Sequence, residues 1–529
     1  MDKRLYLSLL LPLALAGCGG SDGDGGGGSK STPKYNIDFA SFYVQKTEKS
    51  SIRCAIYDEE IYYKEVDTSD PNYDPDAERE VDYREWVHAK KVKGTNLKVA
   101  IHSADGEPLN TYTDSDDEWS RSSGTLKIKK SKVPSNGYLT IYEFDNQGGY
   151  VNSVSYQKPL LSTNMRFSDF KPNRGQDSCI TSGSNGPTLK DRDQTLEDGG
   201  DSSGQVFGIN TRYQNFWATS PINVEAELDS EQIMATRYER LASDTKENVN
   251  ETIQQDKYRQ INAYKLFKRG SISNKPLEMN EIGDNSRDGY NFWYPPLAGT
   301  GSLENTKLYV KKGGEPLFWQ VLPNNSDGIY GYAHDIGSRN YYLNGQGTLN
   351  SWGLTFTEQP EDVDTGIDYA NALLDIDTPN RLAATQVVSC STSETGACLQ
   401  GYISGGEQDW DTQRSFIQFK DDAGREIRHV IYSKPQSMLP LLSFTGFNDL
   451  YVNSNLSKAK ISLLSAGKED ALEAIINNNI DVRGVARETS EALNNPDNDG
   501  MALLNTEYER KQAQTQLRVQ PHKVISATN

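Results

Sequence analysis

The side chains best suited by type to covalent chemistry are five cysteines, at positions 18, 54, 179, 390 and 398. Cys18 stands apart near the start of the chain. The remaining four are an even set, and in an oxidising compartment such a set is expected to pair. Three pairings are open. Cys390 and Cys398 flank the polar run Ser-Thr-Ser-Glu-Thr-Gly-Ala, which suits a clasp across a loop, and that choice leaves Cys54 with Cys179. Free buried thiols are the alternative. A zinc site is not indicated, because there is no CxxC and no histidine lies close in sequence. Gly200-Asp201-Ser202-Ser203-Gly204 has the G-x-S-x-G spacing. A nucleophile elbow needs an apolar strand before the serine and a helix after it. Here Leu196-Glu-Asp-Gly precedes and Gln-Val-Phe-Gly follows, inside a Gly/Ser-rich stretch, so no catalytic residue is assigned. The five histidines (88, 102, 334, 429, 522) are scattered, with no HExxH and no phosphate-binding loop ending in Gly-Lys-Ser/Thr. Carboxylates are numerous enough that a glycosidase pair could assemble from distant positions.

Two further constellations could bind. Asn495-Pro-Asp497-Asn-Asp499-Gly500 has the early oxygen ligands and the sixth-position glycine of an EF-hand-type loop. Asn495, Asp497 and Asp499 are therefore candidate ligands for Ca2+, the one cofactor the sequence suggests. The twelfth position is Thr506, however, with Glu507 one step late, so a polar helix–helix turn is the competing reading. Asn291-Phe292-Trp293-Tyr294-Pro-Pro is the densest aromatic run. Phe292, Trp293 and Tyr294 could stack on sugars or on a protein partner, or could form a core strand ending at a proline turn.

The elements that must hold these residues are mostly strands. Apolar residues alternate over Tyr35–Val44, at Ile37, Phe39, Phe42 and Val44, and again over Leu97–His102. Asp105-Gly106 supplies a tight hairpin turn between Leu97–His102 and the next strand. Gly-Glu-Pro-Leu at 106–109 recurs at 314–317 after another short strand, and Ser326-Asp-Gly-Ile-Tyr echoes Ser135-Asn-Gly-Tyr-Leu. Asp421-Asp-Ala-Gly424 marks a further hairpin. Tandem β modules are the simplest account of such turn spacing. Near the C-terminus the period changes. Leu472, Ile475, Ile476 and Ile480 share one helical face, Gly484 is expected to end or bend that helix, and 488–493 and 501–517 read as further helices. They are expected to cap the preceding β domain.

Composition limits the partners. Lys+Arg is 55 against Asp+Glu 74, a net charge of −19, and a chain so acidic is not expected to bind nucleic acid or anionic lipid heads. Mean hydropathy is −0.71, and no apolar run reaches the length of about 18 residues that a spanning helix needs.

The N-terminus is informative. Lys3 and Arg4 precede the apolar run Leu5–Leu15, and Leu15-Ala16-Gly17-Cys18 follows. This tetrapeptide resembles the lipobox of bacterial lipoproteins. The resemblance implies removal of 1–17, acylation of Cys18, and, with Gly19 rather than Asp after the cysteine, an outer-membrane address. Two or three acyl chains would make that anchoring durable. Residues 18–34, rich in Gly, Ser and Asp, would be a tether. Residues 95–145, with their strand, Asp-Gly-x-Pro-Leu turn and Gly-Tyr strand, resemble small prealbumin-like or bacterial Ig-like β-sandwich modules, which implies a spacer or binding scaffold.

The expectation is a mainly β protein of tandem β-sandwich-like domains with a small C-terminal helical segment. A β-sandwich would occupy 35–165, a polar linker 166–204, one or two β-rich domains 205–455, and helices with a tail 456–529. The expected role is that of a lipid-anchored cell-envelope protein, structural, adhesive or part of an assembly. It would be a surface or flagellar-sheath-type component binding protein or glycan. An envelope-polymer hydrolase and a calcium-dependent binding module are the alternatives.

Overall fold

The computed structural model describes residues 32–47, 53–64, 80–92, 97–120, 122–144, 150–169, 179–186, 190–194, 205–211, 215–218, 222–226, 231–239, 258–272, 277–283, 289–293, 301–324, 326–359, 361–363, 366–368, 376–422, 424–445, 451, 455–477, 480–501 and 504–529. Cys18, the G-x-S-x-G serines and Tyr294 lie outside them. The fold is mainly β, with few helices.

Two sheets face each other over the first part of the chain. The long strand Lys34–Thr47 runs through the first of them. Its first half pairs antiparallel with Thr125–Lys129 and parallel with Asn164–Ser168, and its second half pairs with Val81–Lys91. Alternation decides its faces: Tyr35, Ile37 and Phe39 are buried, while Lys34, Asn36 and Asp38 point outward. The inward set packs with Leu126, Ile128, Met165 and Phe167 against Val99, Ile101, Leu139, Ile141 and Val154 of the second sheet. Stacked layers of this kind form a sandwich.

The second sheet has twelve strands and is built three times over from one plan. In each unit a first strand turns back into a second, a third pairs with the first on its other side, and a fourth pairs with the third. All of these pairs are antiparallel. The first unit is Lys98–His102, Pro108–Tyr112, Tyr138–Phe144 and Tyr150–Gln157. The second is Ser302–Lys312, Glu315–Val321, Tyr341–Leu349 and Trp352–Glu358. The third is Thr412–Lys420, Glu426–Ser433, Asn455–Ala466 and His522–Thr528. The third unit lies in the middle. It joins the second through Trp352–Glu358 beside His522–Thr528, and the first through Tyr150–Gln157 running parallel to Glu426–Ser433.

The repeated Gly-Glu-Pro-Leu therefore marks the same hairpin in the first and second units, and each copy leads into an edge strand of the sheet. Gly106, Gly314 and Gly424 sit at φ of 91°, 88° and 78° at the corresponding turns, a conformation that favours glycine. Pro108 and Pro316 suit an edge, where a missing N–H costs no ladder bond. The second echo is not equivalent. Ser135-Asn-Gly leads into the third strand of the first unit, whereas the strand Gly328–Tyr332 after Ser326 pairs with Gly289–Trp293 in a separate two-stranded sheet.

Three sequence expectations need correction. The described part of 166–204 is not a free linker. Asn164–Ser168 is a strand of the first sheet, Ile180 exchanges backbone bonds with Ala55 and Ala89, and the Asn185 side chain bridges Cys54 and Ile56. The stretch 456–529 is not only helices and a tail, because its two ends are central strands and the helices fill the connection between them. Those helices are Glu469–Asn477, Val482–Ala486, Ser490–Asn494 and Glu507–Leu517. Gly484 sits inside the second of them, packed so closely on Ala492 that a side chain would not fit. Leu472 and Ile476 join the core between the two sheets, so the helices cap the first β region as well as the third unit.

Candidate functional site

The twelve-stranded sheet brings together a serine and a histidine that the sequence keeps 274 residues apart. Ser155 Oγ lies 2.8 Å from His429 Nε2. The pair belongs to a buried row drawn from four adjacent strands. Thr140 Oγ1 is 2.7 Å from Ser155 Oγ and 3.2 Å from His102 Nδ1, and His102 Nε2 is 2.7 Å from the carbonyl of Ser443. All four side chains are fully buried, and the Phe444 ring covers both imidazoles at 6.1 Å and 5.3 Å.

The direction of the protons follows from that carbonyl. It can only accept, so His102 donates from Nε2 and, being neutral, accepts at Nδ1 from the Thr140 hydroxyl. Thr140 then accepts from Ser155, and Ser155 accepts from His429. His429 thus holds its proton toward Ser155 and cannot take one from it. A nucleophile–base pair needs the opposite polarity and an opening for substrate, and none of these four residues lines the clefts described below. The row is a structural polar seam joining the first unit to the third.

Burial sets its chemistry. It pushes His102 down to about 4 and His429 down to about 3, with the nearby His102 adding to the effect on His429. Well above pH 6.5 both rings are neutral in either state and nothing is lost. Below it the unfolded chain takes up protons that the core refuses, so stability falls as pH falls toward those depressed values. Between pH 6.5 and 5 the loss should be roughly 2 kcal/mol for each ring. Urea unfolding midpoints measured across that range check it, and H102Q/H429Q should flatten the profile. A wild-type profile that is flat between pH 6.5 and 5 would refute it.

Carboxyl groups come near one another at several places among the described residues, and Asp169 is one of them. Burial, with the charge of Glu143 close by, pushes Asp169 up to about 8. Glu143 is itself buried, and neither residue lines a described cleft.

The proposed calcium loop is put to another use. Asp499 is fully buried: its Oδ1 accepts from Arg414, with Nε at 3.0 Å, and its Oδ2 accepts from the Tyr432 hydroxyl. Asp497 turns away to an ion pair with Lys460, and Asn495 Oδ1 accepts from the backbone N–H of Asp497. The three residues do not converge, and no cluster of metal-ligating side chains occurs among the described residues. The late Glu507 also has a local explanation. Thr506 caps the Glu507–Leu517 helix, and Glu509 returns the bond to its backbone. This T-x-x-E capping box was readable in the sequence.

The aromatic run divides. Trp293 is buried and donates to the carbonyl of Pro323, whereas Phe292, on the next position of the strand, is 73 % exposed. Trp319 and Trp352 are core residues. Cys54 is bonded to Cys179, and Cys390 to Cys398.

Among the described residues, a cleft lined by Glu358, Asp377, Asp409, Trp410 and Lys523 opens beside the His522–Thr528 strand, and two others bear on binding. One, of about 220 Å3, lies on the outward face of the second unit under the Glu507–Leu517 helix. It presents the amides of Asn305, Asn344, Gln346 and Gln514 and the hydroxyls of Thr355 and Thr357, with Arg518 over the Tyr309 ring at 5.3 Å. Register puts Asn344 and Gln346 on the face opposite Leu343 and Gly345, which look into the core. Donors and acceptors in such number suit a polyhydroxylated ligand. The other cleft, of about 350 Å3, separates the 159–165 segment from the Glu469–Asn477 helix. Its apolar floor includes Tyr156, Met165 and Leu472, and Glu469 and Glu473 stand on its helix side.

No family model matches this chain, and no curated protein matches it either.

Proposed function

We propose that this is a lipid-anchored protein of the bacterial cell envelope with a structural, adhesive or assembly role, held at the outer membrane through Cys18. The observation that carries this reading is the division of the cysteines. Four pair with one another in two disulfides, which suits an oxidising compartment. The fifth is Cys18, in Leu15-Ala16-Gly17-Cys18, where a thiol is needed for acylation rather than for bonding. The sealed Ser155–His429 pair gives no support to a hydrolase. The amide-rich cleft of the second unit supports recognition of a glycan or protein surface. Among the described residues no helix is long and apolar enough to cross a membrane, so the proposed attachment is the lipid.

Detergent phase partition of the protein expressed in a Gram-negative host tests this. The wild type should enter the detergent phase and lose residues 1–17, with the mass of two or three acyl chains on Cys18. Cys18→Ala should keep its leader and carry no lipid. A wild-type protein that is recovered from the aqueous phase without added lipid mass overturns the reading.

A further inference from the structure

The net charge conceals a local excess of the opposite sign. Where the first described residues enter the first sheet, the strand Thr125–Lys129 runs out into the short turn Lys130–Lys132. Register places Lys34 directly opposite Lys129, and Asn36 opposite Lys127. Lys34, Lys127, Lys129 and Lys132 are exposed, and Lys130 is partly so. Like charges facing each other across a strand pair destabilise it. None of these five lysines forms an ion pair with a described carboxylate. On the same face Asp38 is already held by Lys91 and Thr125, and the exposed Glu118 stands opposite Lys127, whose backbone N–H donates to the Glu118 carbonyl. Glu469 and Glu473 lie beyond the 159–165 segment, across the larger cleft, and bound the patch on that side. The result is a row of ammonium groups in a chain of net charge −19.

The position of this row gives it a partner. The backbone N–H of Lys130 donates to the carbonyl of Pro33, so the patch surrounds the point where the chain from Cys18 arrives. Fifteen residues, 19–33, separate Cys18 from Lys34. Even fully extended they span no more than about 50 Å. If Cys18 is acylated, this end of the molecule is the one that faces the lipid heads.

We propose that the lysine-bearing end of the first sheet, Lys34, Lys127, Lys129, Lys130 and Lys132, rests on the anionic phospholipid surface of the membrane that holds the anchor. The idea depends on the anchored reading for its geometry. The ammonium groups meet lipid phosphates, and each lysine near such a surface strengthens attachment roughly fivefold. The anchor makes the contact intramolecular, so a patch too weak to recruit the protein alone can still orient it. The rest of the acidic surface would be repelled, which leaves the second unit and its cleft turned away from the bilayer.

Amine labelling of the purified mature chain, mixed with vesicles and read by mass spectrometry, tests this. Vesicles of phosphatidylethanolamine with phosphatidylglycerol are compared with vesicles of phosphatidylcholine. The patch lysines should label several-fold more slowly on the anionic vesicles, and 0.5 M salt, as a rough guide, should remove the difference because it shortens the screening length. Lys511, remote in sequence and 68 % exposed, should label equally on both. The triple variant K127Q/K129Q/K132Q should lose the protection at Lys34. Binding to both vesicle types with equal labelling overturns the patch and leaves the anchor standing. Binding to the anionic vesicles alone, with the patch protected, supports the patch and overturns the anchor. Binding to neither overturns both.

Discussion

Asp499→Ala should destabilise the fold by about 3–5 kcal/mol, the cost of removing one partner from a buried ion pair. The carboxylate has no exposure and its partner Arg414 has 4 %. Burial alone would lower the Arg414 pKa, and Asp499 more than reverses that, so the guanidinium stays charged. Without Asp499 that charge has lost its counterion inside the protein. Arg428 adds to the cost. It donates to the backbone carbonyls of Asp499 and Asn495, and burial, opposed by Asp499 and reinforced by Arg414, already pulls it down to about 10. Tyr432, stacked on Tyr156 at 5.0 Å, would lose the closer acceptor for its hydroxyl and keep only the Ile476 carbonyl at 3.5 Å among those described. Asp499→Asn should fall between the wild type and Ala, since it keeps shape and one acceptor but not charge. Equilibrium unfolding in urea measures all three, and a loss for Ala below about 1 kcal/mol would sink the argument. Chelator and added Ca2+ should leave the wild-type midpoint unmoved. A rise of several degrees with Ca2+ would mean that the loop binds metal after all.

Removing the Cys54–Cys179 bond should cost about 5 kcal/mol, and removing Cys390–Cys398 about half as much, because the constraint on the unfolded chain grows with the logarithm of the closed loop. The two bonds span 125 and 8 residues. The longer one also holds a docking site. Cys179 bridges to Lys90, the 179–186 segment follows the first sheet, and Ser184 accepts from Thr506 and donates its N–H to Glu509. Cys54→Ala/Cys179→Ala should therefore loosen the start of the Glu507–Leu517 helix as well as lower the unfolding midpoint. Hydrogen exchange at 506–510 reads the first effect and urea unfolding the second. Equal costs for the two disulfides would contradict the account.

Much of the local structure was legible. Period-two alternation marks Tyr35, Ile37 and Phe39 as the inward face, because a pleat must put successive side chains on opposite sides. The hairpins at Gly106, Gly314 and Gly424 were visible from their turn residues, and so was the helix carrying Leu472 and Ile476. Where the local reading failed, a second local rule was in competition. Glu507 read as a calcium ligand one step late when it opens a helix capped by Thr506, and Phe292 and Trp293 were grouped although neighbours on a strand face opposite ways.

The chain by itself thus determined its strands, its turns and the recurrence of one hairpin, since all of these depend on neighbours a few positions apart. Tertiary structure alone decided that three four-stranded units share one sheet, that His522–Thr528 joins the second unit to the third inside it, and that Ser155 meets His429. A strand carries no local mark of which distant edge it will pair with, because backbone donors and acceptors are the same in every strand. That choice is made by burial summed over the whole core. The same summation brought Lys34 beside the four lysines that the sequence already places together at 127, 129, 130 and 132.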